Sequence, residues 1–245
     1  MSQNGARRVV VTGMGTVNPI GHNLEEYWDG LIEGRSGAGP LEEVDTSRLT
    51  TKFACQVKSF NPGDHLERKL AQRTARFSQF ALVASTQAIQ DAELDLDRED
   101  RFRVGVEMGT GIGGFDVMTR DAHRFLATGR MNPLYVTLVI PNIAAAQVAM
   151  YKGLKGPNST VTTACAASTQ ALGNAYRAIQ RGDADVMLAG GTEASLCEVG
   201  IASFNSIKAL STRNDDPERA SRPFDRDRDG FVPGEGAGML VLEDL

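Results

Sequence analysis

The sequence predicts an α/β domain in which helices cover both faces of a largely parallel sheet. Two observations lead there. Short β-branched runs alternate with longer stretches of helical apolar period, and 245 residues at 41% apolar content are enough to bury a sizeable core. Strands are expected at residues 8–12, 103–108, 160–163, 185–189 and 238–243, each a short β-branched or aliphatic run. Helices are expected at 23–32 and 68–92, where apolar side chains recur at helical spacing, and at 168–180, where most of the recurring residues are small. Glycine and proline at 34–40 and 153–157 mark loops, and no internal repeat is evident. The last expected strand runs almost to Leu245, so further polypeptide is expected beyond it.

Composition narrows the function. Charged residues make up 23% and the formal net charge is -5, which offers no overall cationic surface for nucleic acid. Cys55, Cys165 and Cys197 form no CxxC pair. They therefore suggest neither a disulfide framework nor a zinc site, and they suit a reducing compartment. A short polar arm leads directly into the first strand without a long apolar leader, and no run of about 18 apolar residues occurs. The expectation is a cytoplasmic protein with no membrane span.

Cys165 is the candidate nucleophile. The run Ser159-Thr-Val-Thr-Thr-Ala-Cys165-Ala-Ala-Ser168 passes from strand to helix, placing the sulfur where unpaired N–H groups and the positive end of the helix favour thiolate over thiol. No Asp or Glu occurs from Ala122 to Gly182, so the sequence neighbourhood holds no opposing carboxylate. Ala166, Ala167, Ala171, Gly173 and Ala175 imply a helix packed closely on several sides. Arg177, Arg181 and Gly182 give it a cationic, left-handed end. Cys55 and Cys197 lack this setting and read as core residues.

Three patterns imitate other chemistry. Gly109, Gly111 and Gly114 satisfy GxGxxG after a strand, but no acidic residue follows about 20 positions on to hold a ribose. A turn that lets backbone and ligand approach closely is the better reading. The loop Asp225-Arg-Asp-Arg-Asp-Gly230 resembles the front of an EF-hand, yet its twelfth position falls on Gly236 rather than Glu. Internal Arg–Asp pairing is expected there instead. His22, His65 and His123 have no partner at ligand spacing, so no metal site is expected.

Long motifs in a fixed order then give a resemblance. Thr163-Ala-Cys165-Ala-Ala-Ser168 followed by Gly182-Asp-Ala-Asp-Val-Met-Leu-Ala-Gly-Gly191 resembles the active-site segment of elongating β-ketoacyl-acyl-carrier-protein synthases of type II. So do Ala209-Leu-Ser-Thr-Arg-Asn-Asp215, Ser221-Arg-Pro-Phe-Asp225, Arg228-Asp-Gly-Phe-Val232, Val9-Val-Val-Thr-Gly13 and Gly109-Thr-Gly-Ile-Gly-Gly114. The resemblance implies a thiolase-like, layered αβαβα fold of two pseudo-duplicated halves. Residues 1–245 would be the N-terminal ketoacyl synthase domain, with the C-terminal half absent from the chain.

The implied function is decarboxylative Claisen condensation in fatty-acid chain elongation, joining an acyl thioester on Cys165 to malonyl-acyl carrier protein. The Cys165 N–H would be one oxyanion donor. Two histidines of the second half would serve decarboxylation, so this chain alone would not condense. Ile112, Tyr135, Gly200 and Phe204 match the acyl pocket, with Tyr135 standing where type II enzymes carry Phe. Arg68, Lys69, Arg73 and Lys208 match a basic patch facing the acidic carrier protein. The implied partners are acyl carrier protein, in acyl and malonyl forms, and a second copy in a homodimer; no cofactor is implied. Two alternatives fit less well. A non-catalytic partner subunit typically loses the cysteine, and a thiolase acting on acyl-CoA leaves the Ser-Thr-Arg-Asn-Asp and Arg-Asp-Gly-Phe-Val motifs unexplained.

Overall fold

A computed structural model describes residues 7–245; the N-terminal arm up to Ala6 lies outside the described residues. In chain order the elements are β1 (Val9–Val17), α1 (Leu24–Ile32), β2 (Ala38–Pro40), β3 (Phe53–Cys55), α2 (Arg68–Ala71), α3 (Arg76–Asp91), β4 (Val104–Gly109) and α4 (Phe115–Thr128). Then follow α5 (Tyr135–Val139), α6 (Ile143–Lys152), β5 (Asn158–Val161), α7 (Ala167–Arg181), β6 (Val186–Glu193), α8 (Glu198–Ser206) and β7 (Gly236–Asp244). The main sheet runs β1-β7-β6-β4-β5, and β2 and β3 form a separate ribbon.

The pairs β4–β5 and β4–β6 are parallel, whereas β7 runs antiparallel to both β6 and β1. Four strands therefore share one direction, and the expected parallel order fails only at β7. The reason lies in the connection: the chain does not cross back over the sheet after β6, so Gly236 pairs with Glu193 where β6 ends.

Helices α3 and α6 cover one face and α7 the other. On the first face Phe77, Phe80 and Ala84 of α3 meet Val17, Val106, Met239 and Val241. Helix α3 lies so close to β1 that a Cβ on Gly15 would fall 2.1 Å from the Ala84 carbonyl oxygen. On the second face Ala175, Ala178 and Ile179 pack on Met187, Ala189 and Leu242. This helix covers β4, β5 and β6, while Met14 of β1 stays half exposed on that side.

Two helix expectations need correction. The single helix at 68–92 is two, because residues 73–75 break it and Ala75 is extended (ψ 160). The Thr74 hydroxyl donates to the Leu70 carbonyl at 2.8 Å, and the Gln79 amide donates to the carbonyls of Ala71 and Thr74. The break separates a short cationic helix, which needs water, from a helix buried around much of its circumference. Helix α7 is not enclosed: Ala171, Ala175 and Ala178 are buried, but Gly173, Tyr176 and Arg177 on its other side are exposed. Helices α5, α6 and α8 were not anticipated from the sequence.

The first turn of α7 rests on strands that have no side chains beneath it. A Cβ on Gly109 would lie 2.3 Å from the Ala167 carbonyl carbon, and one on Gly191 would lie 1.8 Å from Ser168 Oγ. Gly109→Ala must therefore push α7 off the sheet. The expected outcome is a loss of about 1–3 kcal/mol in urea unfolding, the usual cost of overpacking. An unchanged midpoint would show that this contact yields without strain.

Candidate active site

Strand β5 ends at Val161, and the chain enters a single 3-10 turn, Ala164–Ala166, that runs straight into α7. Ala164 opens that turn at φ 49, a left-handed conformation costing an alanine about 1–2 kcal/mol. Such strain persists only where surrounding structure imposes it, and here it turns the next side chain outward. Cys165 is exposed, whereas Cys55 and Cys197 are half-buried. Burial pushes the Cys55 thiol up.

Cys165 opens onto a cavity of about 860 Å³ walled by the open side of β1 and β7, the 110–112 loop, and Phe204 with Phe231. Those two rings meet edge-on at 5.4 Å. Of the four residues matched to an acyl pocket, Ile112 and Phe204 share this wall with Cys165. Gly200 lies buried within α8, where a Cβ would fall 2.2 Å from the Ser195 carbonyl oxygen. Tyr135 sits on α5, packed against the main core and away from the cavity wall.

The carboxylate-free neighbourhood of the sequence does not survive folding, since Glu193 and Glu235 both line this cavity. They come from the end of β6 and the residue before β7, which the sheet brings alongside. Glu235 is neutralised locally: Arg76 Nη2 lies 2.7 Å from Oε1, and the Val57 N–H donates to the same oxygen at 3.0 Å. Among the described residues Glu193 has no cation in that role; burial pushes its carboxyl up. A third carboxylate, Glu107 beneath α7, accepts from Asn174 Nδ2 at 3.0 Å and ties the helix to β4.

The glycine loop is committed to protein acceptors. The Gly111 N–H donates to Glu193, the Gly113 N–H to the Thr110 hydroxyl, and the Gly114 N–H to the Val139 carbonyl. A phosphate would find those amides occupied and a carboxylate beside them. In the 225–230 loop, Arg222 pairs with Asp225, Arg226 with Asp227 and Arg213 with Asp229, the internal pairing expected from the sequence. His22 and His65 pack on the Phe60 ring, and His123 lines a separate polar groove with Asp116 and Arg120. Among the described residues no histidine lines the Cys165 cavity.

Arg68, Lys69, Arg73 and Lys208 are exposed, and none forms an ion pair among the described residues. Arg76, the next cation along, is withdrawn from this surface by Glu235. Lys208 follows α8, four residues after Phe204. Sequence reasoning missed Glu193, Phe231, Met14 and Thr16 as cavity residues. Phe231 alone carried a signal, through the Arg228-Asp-Gly-Phe-Val232 motif.

Comparison with known proteins gives the family and the fold. The family profile described as "Beta-ketoacyl synthase, N-terminal domain" matches residues 6–245. The chain is 48% identical over 241 residues to the 3-oxoacyl-[acyl-carrier-protein] synthase 2 of Synechocystis sp., covering 98% of this chain and 58% of that protein. A β-ketoacyl synthase crystal structure from Burkholderia phymatum STM815 superposes with a TM-score of 0.88 at 35% identity, covering 98% of this chain and 59% of that one. A type II PKS acyl-carrier protein in complex with its ketosynthase bound to the hexaketide gives 0.81 at 36% identity, covering 98% and 58%. The chain thus spans somewhat under three fifths of the length of the proteins it matches.

Exposure and burial together order the three thiols. Iodoacetamide at neutral pH should modify Cys165 first, with Cys55 slower by about tenfold or more, as read by peptide mass. Faster labelling of Cys55 would contradict the placement of both side chains.

Proposed function

The chain belongs to the β-ketoacyl synthase family, as its N-terminal domain, and on that premise we propose that it carries the acyl-accepting half of a 3-oxoacyl-[acyl-carrier-protein] synthase. The observation that carries this reading is Cys165, an exposed thiol presented by a strained turn beside a cavity with Ile112, Phe204 and Phe231 in its wall.

Cys165 Sγ, as thiolate, attacks the carbonyl carbon of an acyl-carrier thioester. The oxyanion that forms is met by the Cys165 N–H and by a second donor from the missing half, and the carrier thiolate leaves with an acyl group left on sulfur. Malonyl carrier protein then loses carbon dioxide, and its enolate carbon attacks the Cys165 thioester. A carbon–carbon bond forms, the carbon–sulfur bond breaks, and the thiolate returns. The enolate oxygen needs positioned donors, and the histidines of this chain lie elsewhere. Those donors therefore belong to a C-terminal half, in keeping with the share of the relatives' length that this chain spans.

The carrier protein docks on Arg68, Lys69, Arg73 and Lys208, whose exposed, unpaired charges suit an acidic partner. A second copy of the enzyme pairs along the open edge strand β5, flanked by the exposed apolar residues Leu126, Val136 and Met150 of α4, α5 and α6. No helix among the described residues is long and apolar enough to cross a membrane.

Three outcomes are expected. In the complete enzyme, Cys165→Ala should form no acyl thioester and lower condensation by on the order of a thousandfold or more. Residues 1–245 alone should neither decarboxylate malonyl carrier protein nor condense; turnover comparable to the complete enzyme would mean that a histidine of this half takes part. Charge reversal at all four cations should slow carrier-protein association about tenfold or more at low salt, with the difference shrinking as salt rises. Unchanged association in stopped-flow measurements would remove the patch from the proposal.

A further inference from the structure

Glu193 takes no part in the chemistry proposed above, yet it stands in the wall of the same cavity. It ends β6 and turns its carboxylate toward the loop that follows β4. There Oε2 accepts the Gly111 N–H at 2.6 Å and the Thr110 hydroxyl at 3.4 Å. The relay continues, since Thr110 Oγ1 accepts the Gly113 N–H at 3.3 Å and the Val139 carbonyl of α5 accepts the Gly114 N–H at 3.2 Å. One carboxylate oxygen thereby organises residues 110–113 between β6 and α5.

The loop packs closely on its neighbours. Gly113 is left-handed (φ +85), and a Cβ there would fall 2.8 Å from the Val139 carbonyl oxygen. A Cβ on Gly111 would lie 2.8 Å from Glu193 Oε2 itself. The large side chain carried by this loop is Ile112, which is part exposed in the cavity wall. Glu193 Oε1, meanwhile, is sealed from solvent without a hydrogen-bond partner among the described residues. Burial pushes the carboxyl up, against the pull of the Gly111 and Ile112 amides. A half-satisfied buried carboxyl lowers stability, so stability gives no reason for its presence. Local rules are broken in this way chiefly at functional sites.

We propose that Glu193 is a positioning residue that sets acyl-chain selectivity by holding the 110–113 loop, and with it Ile112, against the wall of the Cys165 cavity. This rests on the reading of Cys165 as the acylated nucleophile. Without the carboxylate, the Gly111 and Thr110 groups lose their acceptor, and the freed loop moves into the apolar space that a long acyl chain must fill. A short acyl group does not reach that space.

The test compares butyryl and dodecanoyl carrier thioesters as donors to the complete enzyme. Glu193→Ala is expected to lower the dodecanoyl-to-butyryl ratio of kcat/KM about tenfold or more, chiefly through the dodecanoyl KM, with butyryl kcat kept within about threefold. Glu193→Gln keeps an acceptor for the Gly111 N–H and should restore most of the ratio. If Glu193→Ala does not fold, Thr110→Val decides: it removes the hydroxyl at constant shape and should shift the ratio the same way in a variant that still unfolds cooperatively. A wild-type ratio in the folded variants, or an equal loss for both donors, overturns the proposal. A wild-type enzyme that takes neither acyl group onto Cys165 overturns the nucleophile reading itself, and this inference with it.

Discussion

The contact on which the site depends is the approach of the first turn of α7 to the ends of β4 and β6. Gly109 and Gly191 pair in register, one on each strand, and both present bare backbone to the helix. With any side chain there the helix would ride higher, and the turn that holds Cys165 would move with it. Asn174 repeats the attachment further along, through its bond to the buried Glu107. The strain at Ala164 is sustained by these two anchors and by β5, which delivers the chain at a fixed height. A nucleophile needs such over-determination, because displacement of about 1 Å at a reacting atom already costs rate heavily.

The same geometry leaves the structure lopsided. The α3 face is sealed by aromatic and aliphatic residues, while the α7 face is covered over β4, β5 and β6 and open over residues 14–16 of β1 and 236–240 of β7. Met14 and Val11 of β1 are correspondingly exposed. Contiguous apolar surface of this kind marks a place where another body packs. The proposed second half fits there, beside the exposed flank of α7, and would enclose Cys165 on the side that this chain leaves open.

Electrostatics at the site follow from the sheet rather than from sequence distance. Strand β6 carries Glu193 and the approach to β7 carries Glu235, and antiparallel pairing sets them together near Cys165. The structure deals with them differently. Arg76 compensates Glu235, and its guanidinium also stacks over the Phe80 ring at 4.8 Å. Glu193 is held by the Gly111 N–H, and burial pushes its carboxyl up.

The sequence by itself determined the β-strand and helix alternation, the strand-to-helix position of Cys165, and the family motifs. All of these are local: each needs only residue type and spacing over about a dozen positions. The charge pairing of the 225–230 loop was legible for the same reason. Tertiary structure alone decided the reversed direction of β7, which depends on where the chain goes after α8, and the break at 73–75, which depends on how deeply α3 is buried. It also decided which faces of α7 meet protein, because small residues permit close packing without saying from how many sides. Glu193 was invisible as a site residue, being 28 positions from Cys165 along the chain. It enters the cavity only because β4 and β6 pair in register and carry their ends to the same edge. Local spacing fixes chemistry along one element, but which elements meet is set by the sheet.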